Sequence, residues 1–480
     1  MTYYQFGPLA PDRPARLNDQ FLRVADGVFP MADGYRPVGQ WASIYTALAA
    51  APKGGASFVS PQGAASIIVG TATNLYKAES GAFTSIGSGY SIQGDQRWRF
   101  AQFGGLAIAT NAADAMLKID LATFTVSNLG GSPPKFESLG VVKDFLVGTC
   151  RDGDIMTIGW CALNNAEFWT VGQRQSDYNI MPAGGRVNGI LSGEFGVILQ
   201  RDRICRMDYV GGNVIFEINE VSSNIGCVTP HSVAQWGNLG FFLSDEGFIM
   251  WDGAQAVPIG NEVIDRTFAA LYNSADWASM STAIDPVNRV CMWSMGDVIY
   301  CYNWTPGIQN RWTTITYVSP IIFSGVTKGV SLDEQDPAVG ANDDNLDYAG
   351  LVTLDSATFN GGDPKLYVFS STNALGSFSG TPMAATFTGN DIEIFAGRRA
   401  NLRFLRPDID ATSGVSCSIG AKQRLGDALS SVAASALVTS GEMPVRVSGR
   451  YLRPSWGIAA GTTWTEAKGA EYIGAPGAGR

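Results

Sequence analysis

The amino-acid sequence predicts an all-β protein whose main part is a six- or seven-bladed β-propeller, with an extended N-terminal arm and a C-terminal β-sandwich-like region. Its composition favours short strands and turns, since 57 glycines and 22 prolines accompany 24 Phe, 16 Tyr and 12 Trp residues among 480. Aromatic residues favour strands, and glycine supplies turn dihedral angles. Short apolar runs separated by turns also return roughly every 40–50 residues, a period typical of propellers.

The charge of the chain limits its function class. A net charge of −10 argues against a protein that reads nucleic-acid sequence, because such proteins need a basic face. The acidity lies in the middle: residues 61–317 carry 15 basic and 23 acidic residues, whereas residues 383–480 carry 11 and 8. An acidic wall repels phosphate, so this distribution is compatible with a duct through which DNA slides.

The cysteines and the N-terminal residues indicate a compartment. Seven cysteines without CxxC spacing predict buried, reduced thiols and neither a zinc site nor a disulfide framework; they are Cys150, Cys161, Cys205, Cys227, Cys291, Cys301 and Cys417. The N-terminus has no basic segment followed by an apolar run, and no apolar stretch approaches about 18 residues. We therefore expect a soluble protein, made in the cytoplasm, that does not insert into membranes.

Residues 1–57 are predicted to form the extended arm. Prolines interrupt any long helix, and the apolar residues show no sustained period; the prolines are Pro8, Pro11, Pro14, Pro30 and Pro37. Such an arm buries little of its own surface, so we expect it to lie on its own propeller or on a neighbouring subunit. A short helix is considered at residues 44–51.

Residues 58–382 contain the repeats. In each repeat a strand is followed by a polar or glycine-containing turn and a second strand, and these strands start at Ile67, Leu106, Phe145, Phe195, Leu239, Arg289 and Gly350. The turns occupy equivalent places, so we expect them on one face of the propeller.

An acidic insertion at residues 326–349 interrupts the last repeat. Asp343, Asn345 and Asp347 alternate as the first ligands of a calcium loop do. The glycine that such a loop needs at its sixth position is missing, because Tyr348 stands there. We therefore predict a solvated loop and keep these three residues only as a weak calcium candidate.

Residues 383–480 are predicted to form a closing blade strand and a β-sandwich, because apolar and polar residues alternate at 384–410 and 442–473. The intervening residues 424–441 have either helical spacing or the composition of a loop, and the loop is favoured. Arginines concentrate in this region, where surface salt bridges or subunit contacts are favoured over phosphate binding; they are Arg398, Arg399, Arg403, Arg406, Arg446, Arg450 and Arg453.

No catalytic constellation stands out, so no enzyme activity and no cofactor are predicted. His231 is the only histidine and follows a proline without any nucleophile motif, which favours a structural role. Residues 244–251 are similar to the Asp box of sialidases, but the register is wrong and the segment occurs once. A β-hairpin turn is the simpler interpretation. The sequence has no phosphate-binding glycine loop in a strand-to-helix context.

Four segments carry a resemblance to a known family: a YVGG turn at residues 209–212, a GxxxPxSV run at 226–233, a Ser-x-x-Gly-Phe-x-x-x-Asp-Gly hairpin at 244–253 and an IG…VID segment at 259–265. These segments resemble tail proteins of short-tailed bacteriophages. Residues 28–38 and 450–471 are also similar to such proteins, and the likeness is weakest at 320–350.

The resemblance implies a tail hub or nozzle, also called a packaged-DNA stabilisation protein. It implies a homo-hexameric ring in the virion tail, assembled in the host cytoplasm, beneath portal and adaptor proteins and in contact with tail fibre or spike proteins. Double-stranded DNA would pass through the ring without being read. Two alternatives stay open: a carbohydrate-binding or carbohydrate-cleaving propeller, and a protein-interaction propeller of a host cell.

Overall fold

The computed structural model describes residues 2–14, 18–212, 214–327 and 363–477. Strands dominate these residues, and the one α-helix in this part of the chain, α1, spans Asp265–Leu271. Short 3₁₀ helices occupy Arg151–Gly153, Pro230–Ser232 and Asp276–Ser279. The predicted all-β propeller class is confirmed by successive four-stranded antiparallel sheets.

The described N-terminal residues are extended and lie on their own chain, as expected for residues 1–57, but they form strands that pair within the sandwich and propeller sheets and are not a separate arm. The strands are β1 (Thr2–Gln5), β2 (Val24–Asp26), β3 (Val28–Met31), β4 (Gly34–Pro37) and β5 (Gly39–Ala47). β3 and β4 form a hairpin with a two-residue turn between Met31 and Gly34. Pro30 is tolerated because β3 lies at the edge of its sheet. The helix considered at residues 44–51 is wrong, since β5 extends to Ala47.

Seven four-stranded units follow in the described residues, and we call them blades 1 to 7. Blade 1 contains β6 (Pro52–Val59), β7 (Ala65–Thr71), β8 (Asn74–Glu79) and β9 (Ala82–Ser88). Blade 2 contains β10 (Arg99–Phe103), β11 (Leu106–Thr110), β12 (Leu117–Asp120) and β13 (Val126–Asn128). Blade 3 contains β14 (Ser138–Val142), β15 (Phe145–Thr149), β16 (Thr157–Trp160) and β17 (Asp177–Ile180). Blade 4 contains β18 (Val187–Leu191), β19 (Gly196–Gln200), β20 (Arg203–Tyr209) and β21 (Phe216–Ser223).

The later blades follow the same plan. Blade 5 contains β22 (Ala234–Trp236), β23 (Leu239–Ser244), β24 (Gly247–Trp251) and β25 (Ala256–Pro258). Blade 6 contains β26 (Ser281–Asp285), β27 (Val290–Met295), β28 (Val298–Asn303) and β29 (Trp312–Thr316). Blade 7 takes β30 (Ile322–Val326), β31 (Pro364–Phe369) and β32 (Ala374–Pro382) from this region and β5 from the N-terminal region.

The first strands of the blades pack side by side into a ring. Side chains link them: Gln235 Nε2 of blade 5 donates to the Ser192 carbonyl after β18 (2.6 Å), and Ser324 Oγ of blade 7 donates to the Ile284 carbonyl of blade 6 (2.7 Å). The ring closes where Ser57 Oγ of blade 1 accepts from the Val326 amide of blade 7 (3.2 Å). The closing strand is β5, and not a strand from residues 383–480 as predicted, because β32 needs an outer partner and pairs with β5 antiparallel.

The C-terminal strands build a β-sandwich together with the N-terminal ones. They are β33 (Ala385–Thr388), β34 (Ala400–Ile409), β35 (Val415–Lys422), β36 (Ser430–Ala433), β37 (Met443–Gly449), β38 (Tyr451–Ile458) and β39 (Ala467–Pro476). One sheet has the order β2-β33-β38-β35-β36 and continues from β29 of blade 6, while the other has the order β3-β4-β39-β34-β37 with β1 on β39. Within residues 424–441, the segment at Ser430–Ala433 is a short strand and not a helix.

One hydrophobic core joins the sandwich to blades 5 and 6. Phe6 stacks on Phe387 with ring centroids 4.8 Å apart, and the Tyr35 hydroxyl donates to the Gly7 carbonyl (2.6 Å). On the blade side of the same core, the rings of Phe248 and Trp293 lie 4.8 Å apart. Because the core is continuous, the propeller and the sandwich form one body.

Candidate functional site

The weak calcium candidate formed by Asp343, Asn345 and Asp347 lies outside the described residues, as do most of the acidic insertion and the predicted strand start at Gly350. Elsewhere in the chain, the described residues contain no group of three or more His, Cys, Asp or Glu side chains able to hold a metal ion. None of the described helices has the length and apolar character needed to cross a membrane.

The hairpin at residues 244–253 has a structural role in blade 5. Ser244 pairs with Gly247 across a two-residue turn, and Asp265 Oδ1 accepts from the Phe248 amide (3.1 Å). The Asp265 carboxyl group lies so close to Gly247 and Gly260 that a Cβ atom at either glycine would meet it within about 2.2 Å. The hairpin and the segment at 259–265 are therefore one packed unit, which explains why both need glycine.

The GxxxPxSV run at residues 226–233 connects blade 4 to blade 5. A Cβ atom on Gly226 would lie 2.3 Å from the Gln200 carbonyl oxygen, so the position needs glycine. The Ser232 hydroxyl donates to the Thr229 carbonyl (2.8 Å) and accepts from the Leu243 amide (3.0 Å). This run fixes the crossover between two blades, and its polar atoms are engaged in holding the backbone.

A cavity of about 70 Å³, which we call the axial pocket, lies where the first strands of blades 2 to 5 begin. Its charged and polar lining comes from the residues next to those strand starts and from the second-to-third-strand turn of blade 2: Asp95, Gln96, Arg97, Arg99, Asn111, Glu137, Arg186 and His231. Perturbed titratable groups that converge in a cavity mark a candidate binding site. This pocket is therefore the candidate functional site.

Two arginines of β10 and the loop before it form one wall of the axial pocket. Arg97 donates from Nη1 to the Met280 carbonyl (2.6 Å) and from Nη2 to the Ala278 carbonyl (2.9 Å). Arg99 donates from Nη2 to the Pro230 carbonyl (2.8 Å). Burial lowers the pKa of Arg97 to about 9, with repulsion from Arg99 contributing, and burial lowers that of Arg99 to about 10.

His231 is buried at the base of the pocket. Its Nδ1 atom lies 2.9 Å from Arg99 Nη2, and because a guanidinium only donates, Nδ1 accepts and the ring proton is on Nε2. Burial, followed by the positive charges of Arg97 and Arg99, holds the pKa of His231 far below its usual value of 6.5. The imidazole is therefore neutral at physiological pH.

Arg186 and Glu137 form an ion pair on the opposite wall. Arg186 Nε also donates to Asn188 Oδ1 (3.1 Å), and Asn188 Nδ2 donates to the Cys227 carbonyl (2.6 Å). The pair is thus fixed to the blade 4–5 crossover. No sequence motif pointed to the charged residues of this pocket, Arg97, Arg99, Glu137 and Arg186. The pattern that could have identified them is their shared position, just before or at the start of the first strand of a blade.

The C-terminal arginines do not form one site. Arg453 and Lys422 both pair with the buried Asp391 (3.0 and 2.7 Å), and these pairs lower the pKa of Asp391 despite the opposing effect of burial. Arg406 pairs with Glu442 and Glu471, and Arg450 with Glu393. Arg399 donates to Gln423 Oε1.

Two other arginines line a groove of about 1110 Å³ beside the edge strands β36 and β37. We call it the edge groove and define it by Arg403, Phe404, Val432, Val445 and Arg446. Neither Arg403 nor Arg446 has an ion pair within the described residues. The groove is therefore a basic surface with an apolar component.

All seven cysteines are buried free thiols, as the sequence predicts. Burial raises the pKa of Cys227 to about 11 and that of Cys150 to about 12. These thiols are protonated at neutral pH and are poor nucleophiles.

No protein-family model and no curated protein match the chain. Solved structures with a similar arrangement of strands include the β-propeller domain of Cps50 (Swd1) from Myceliophteria thermophila, with 8% identity, a TM-score of 0.40, and coverage of 70% of this chain and 98% of that one. BamB from Moraxella catarrhalis matches with 8% identity and a TM-score of 0.38 over 78% of this chain and 97% of that one. The extracellular domain of BT4673 from B. thetaiotaomicron matches with 8% identity and a TM-score of 0.43 over 82% of this chain and 47% of that one. The chain is a β-propeller protein, and these distant structures carry no argument about its function.

Proposed function

We propose that this chain is a structural protein of a short-tailed bacteriophage, a tail hub or nozzle that forms a ring for the passage of DNA. The observation that supports the proposal most is the resemblance of residues 209–265 to such tail proteins. The glycines of these segments have defined structural roles: Gly226 at the blade 4–5 crossover, and Gly247 and Gly260 around Asp265. The likeness therefore rests on positions that the blade architecture needs.

A duct for DNA requires several copies of the chain. Side chains reach across the ring of first strands: Arg97, beside blade 2, donates to the Ala278 and Met280 carbonyls before blade 6, and Arg99 of blade 2 donates to the Pro230 carbonyl before blade 5. A DNA duplex, whose major groove alone is about 12 Å wide, does not fit inside a ring that single side chains span. In our proposal the channel lies between the subunits. The propeller of each subunit is one rigid block in the wall around that channel.

Charge complementarity supports contact between unlike surfaces of two copies. Residues 61–317, which form most of the propeller, have an excess of acidic groups, and residues 383–480, which form most of the sandwich, have an excess of basic groups. The edge groove adds Arg403 and Arg446, which have no ion pair among the described residues, to the sandwich surface. A contact between the sandwich of one copy and the propeller of the next is head-to-tail, and such contacts close into rings when the rotation permits.

Electron microscopy of the purified protein and of phage particles tests the proposal. We expect six-fold annuli with a mass of about six times 51.0 kDa, and the same protein in virion mass spectrometry. A protein that stays monomeric at all concentrations and never occurs in particles would refute it. Turnover of a polysaccharide by the purified chain would favour the carbohydrate-cleaving alternative.

A further inference from the structure

We propose that the axial pocket binds one compact oxyanion, a carboxylate or phosphate group, held by Arg97, Arg99 and Arg186. Nothing in the proposed tail function assigns a ligand to this pocket, and the inference does not depend on ring assembly. It rests on the unused hydrogen-bond donors in the pocket, on its charge and on its size.

Arg99 has donors that the described residues leave unused. Its Nη2 atom donates to the Pro230 carbonyl and contacts His231, whereas its Nε and Nη1 atoms have no partner in the described part of the chain. Neither of these two atoms is sealed from solvent. The guanidinium is held in place by one nitrogen, and its other donors remain available to a ligand in the pocket. A fixed guanidinium with free donors suits planar or tetrahedral oxyanions.

The pocket also carries one positive charge in excess. Arg97, Arg99 and Arg186 face two carboxylates, Asp95 and Glu137, and His231 is neutral. Glu137 is engaged with Arg186, and Arg97 is repelled by Arg99. A bound anion would offset this repulsion, and a cation would increase it.

The size of the pocket limits the ligand. A cavity of about 70 Å³ is several times the roughly 10–15 Å³ that one water needs on this measure, and so has room for a group of four or five heavy atoms. A polymer does not fit inside it. The ligand is therefore a free anion or one acidic side chain of a partner protein. In both cases the group that enters the pocket is an oxyanion.

The single histidine provides a direct test. With the Cε1 atom of histidine labelled with ¹³C, the chain gives one ring signal, and His231 lies in contact with Arg99. We expect sodium phosphate or sodium acetate to shift this signal saturably at constant ionic strength, with sodium chloride as the reference. Saturation by phosphate alone indicates a free phosphate site, and saturation by acetate indicates a carboxylate site that an acidic side chain can occupy.

Variants make the test specific. Arg99→Gln should weaken binding at least about tenfold, because it removes the free donors and their charge. Arg398→Gln, on an exposed arginine of the sandwich, is the matched control and should leave binding unchanged. If Arg99→Gln fails to fold, Arg186→Gln replaces it, with an expected loss of a few-fold. A shift that does not saturate, that chloride reproduces, or that saturates with unchanged affinity in the arginine variant of the pocket would overturn the proposal.

Discussion

His231 and Asp265 have pKa values displaced in opposite directions, and each displacement links folding to pH. The pKa of His231 is lower in the folded chain than its usual 6.5 because the ring is buried beside Arg97 and Arg99. Burial raises the pKa of Asp265 to about 6, and the negative charge of Asp12 adds to the effect. Below pH 6.5 the unfolded chain therefore binds a proton at His231 that the folded chain does not. Between pH 6 and about 4 the folded chain binds a proton at Asp265 that the unfolded chain loses.

We predict that His231→Asn reduces the loss of stability on acidification. In the wild-type chain, His231 should lower the free energy of unfolding by up to about 1.4 kcal/mol per pH unit below pH 6.5. Asn keeps an acceptor for Arg99 without a titrating group, so this slope should disappear. Urea unfolding from about pH 7.5 to pH 5 measures the slope.

Asp265→Asn is the complementary variant for this prediction. The folded state of the wild-type chain gains stability at Asp265 as the pH falls through 6, so removing the charge should make the variant lose more stability on acidification. Parallel curves for wild type and His231→Asn between pH 6.5 and 5 would show that His231 is protonated in the folded chain.

The sequence drew attention to His231 of the axial pocket and to the packed segments of blade 5, but it missed the arginines of the pocket, for physical reasons. Gly247, Gly260 and Asp265 belonged to a recognisable segment, although their mutual packing depends on a turn and a loop that meet only in the fold. Arg97 and Arg99 were missed because two arginines around a tryptophan have the pattern of an ordinary strand. The position of these arginines at the propeller axis follows from the whole ring of blades and not from the local sequence.

At the scale of single elements, the repeats were predictable and the closing strand was not. Six of the predicted strand starts lie within two residues of the first residue of the second strand in blades 1 to 6. Leu106, for example, is the first residue of β11, and Phe145 is the first residue of β15. β5 had no such signal, because its partner β32 lies more than 300 residues along the chain. Proline and glycine within β3 and β4 also hid these two short strands.

We predict that Tyr45→Ala destabilises the chain by about 3 kcal/mol, because it truncates a buried aromatic side chain in the closing strand. Tyr45 is 8% exposed and packs against Phe83 of blade 1, with ring centroids 5.7 Å apart, and against a core shared with blade 7. Urea unfolding measures the change.

Tyr178→Ala is the matched control for Tyr45→Ala. Tyr178 is 39% exposed at the outer strand of blade 3, where it contacts the Arg151 guanidinium, and its truncation should cost less than about 1 kcal/mol. Equal losses in the two variants would mean that β5 does not hold blade 7 to blade 1.

At the scale of the whole molecule, strands from the N- and C-terminal regions together form the sandwich. β1 to β4 contribute to both sheets of the sandwich, and β5 closes the propeller. The sandwich continues the sheet of blade 6 through β2, which pairs with β29 at Asp26 and Thr314. Basic and acidic surfaces therefore keep a fixed separation within one body, as a head-to-tail assembly needs.

We predict that the proposed ring of subunits dissociates at high salt concentration. In the proposed ring of subunits, the contacts between the basic sandwich and the acidic propeller would be screened as ionic strength rises from about 0.1 M to about 1 M, because the Debye length falls from about 10 Å to 3 Å. The ring should dissociate toward smaller species over this range, which light scattering coupled to size-exclusion chromatography measures.

Charge reversal in the edge groove tests the same contact. The double variant Arg403→Glu and Arg446→Glu should shift dissociation to lower salt. Arg174→Glu, on the propeller, is the control and should not weaken the ring. A ring that tolerates both high salt and the double variant would place the contact elsewhere.

The closing strand β5 also constrains when the chain can fold during its synthesis. β5 leaves the ribosome early, whereas β32 and the strands from β33 to β39 emerge after most of the chain. Until then, β5 has no partner strand and the sandwich lacks most of its strands, so exposed sheet edges persist during synthesis. The propeller therefore closes only after β32 has emerged and the sandwich only after β39 has emerged, and a chain that stops before β32 cannot close its ring of blades.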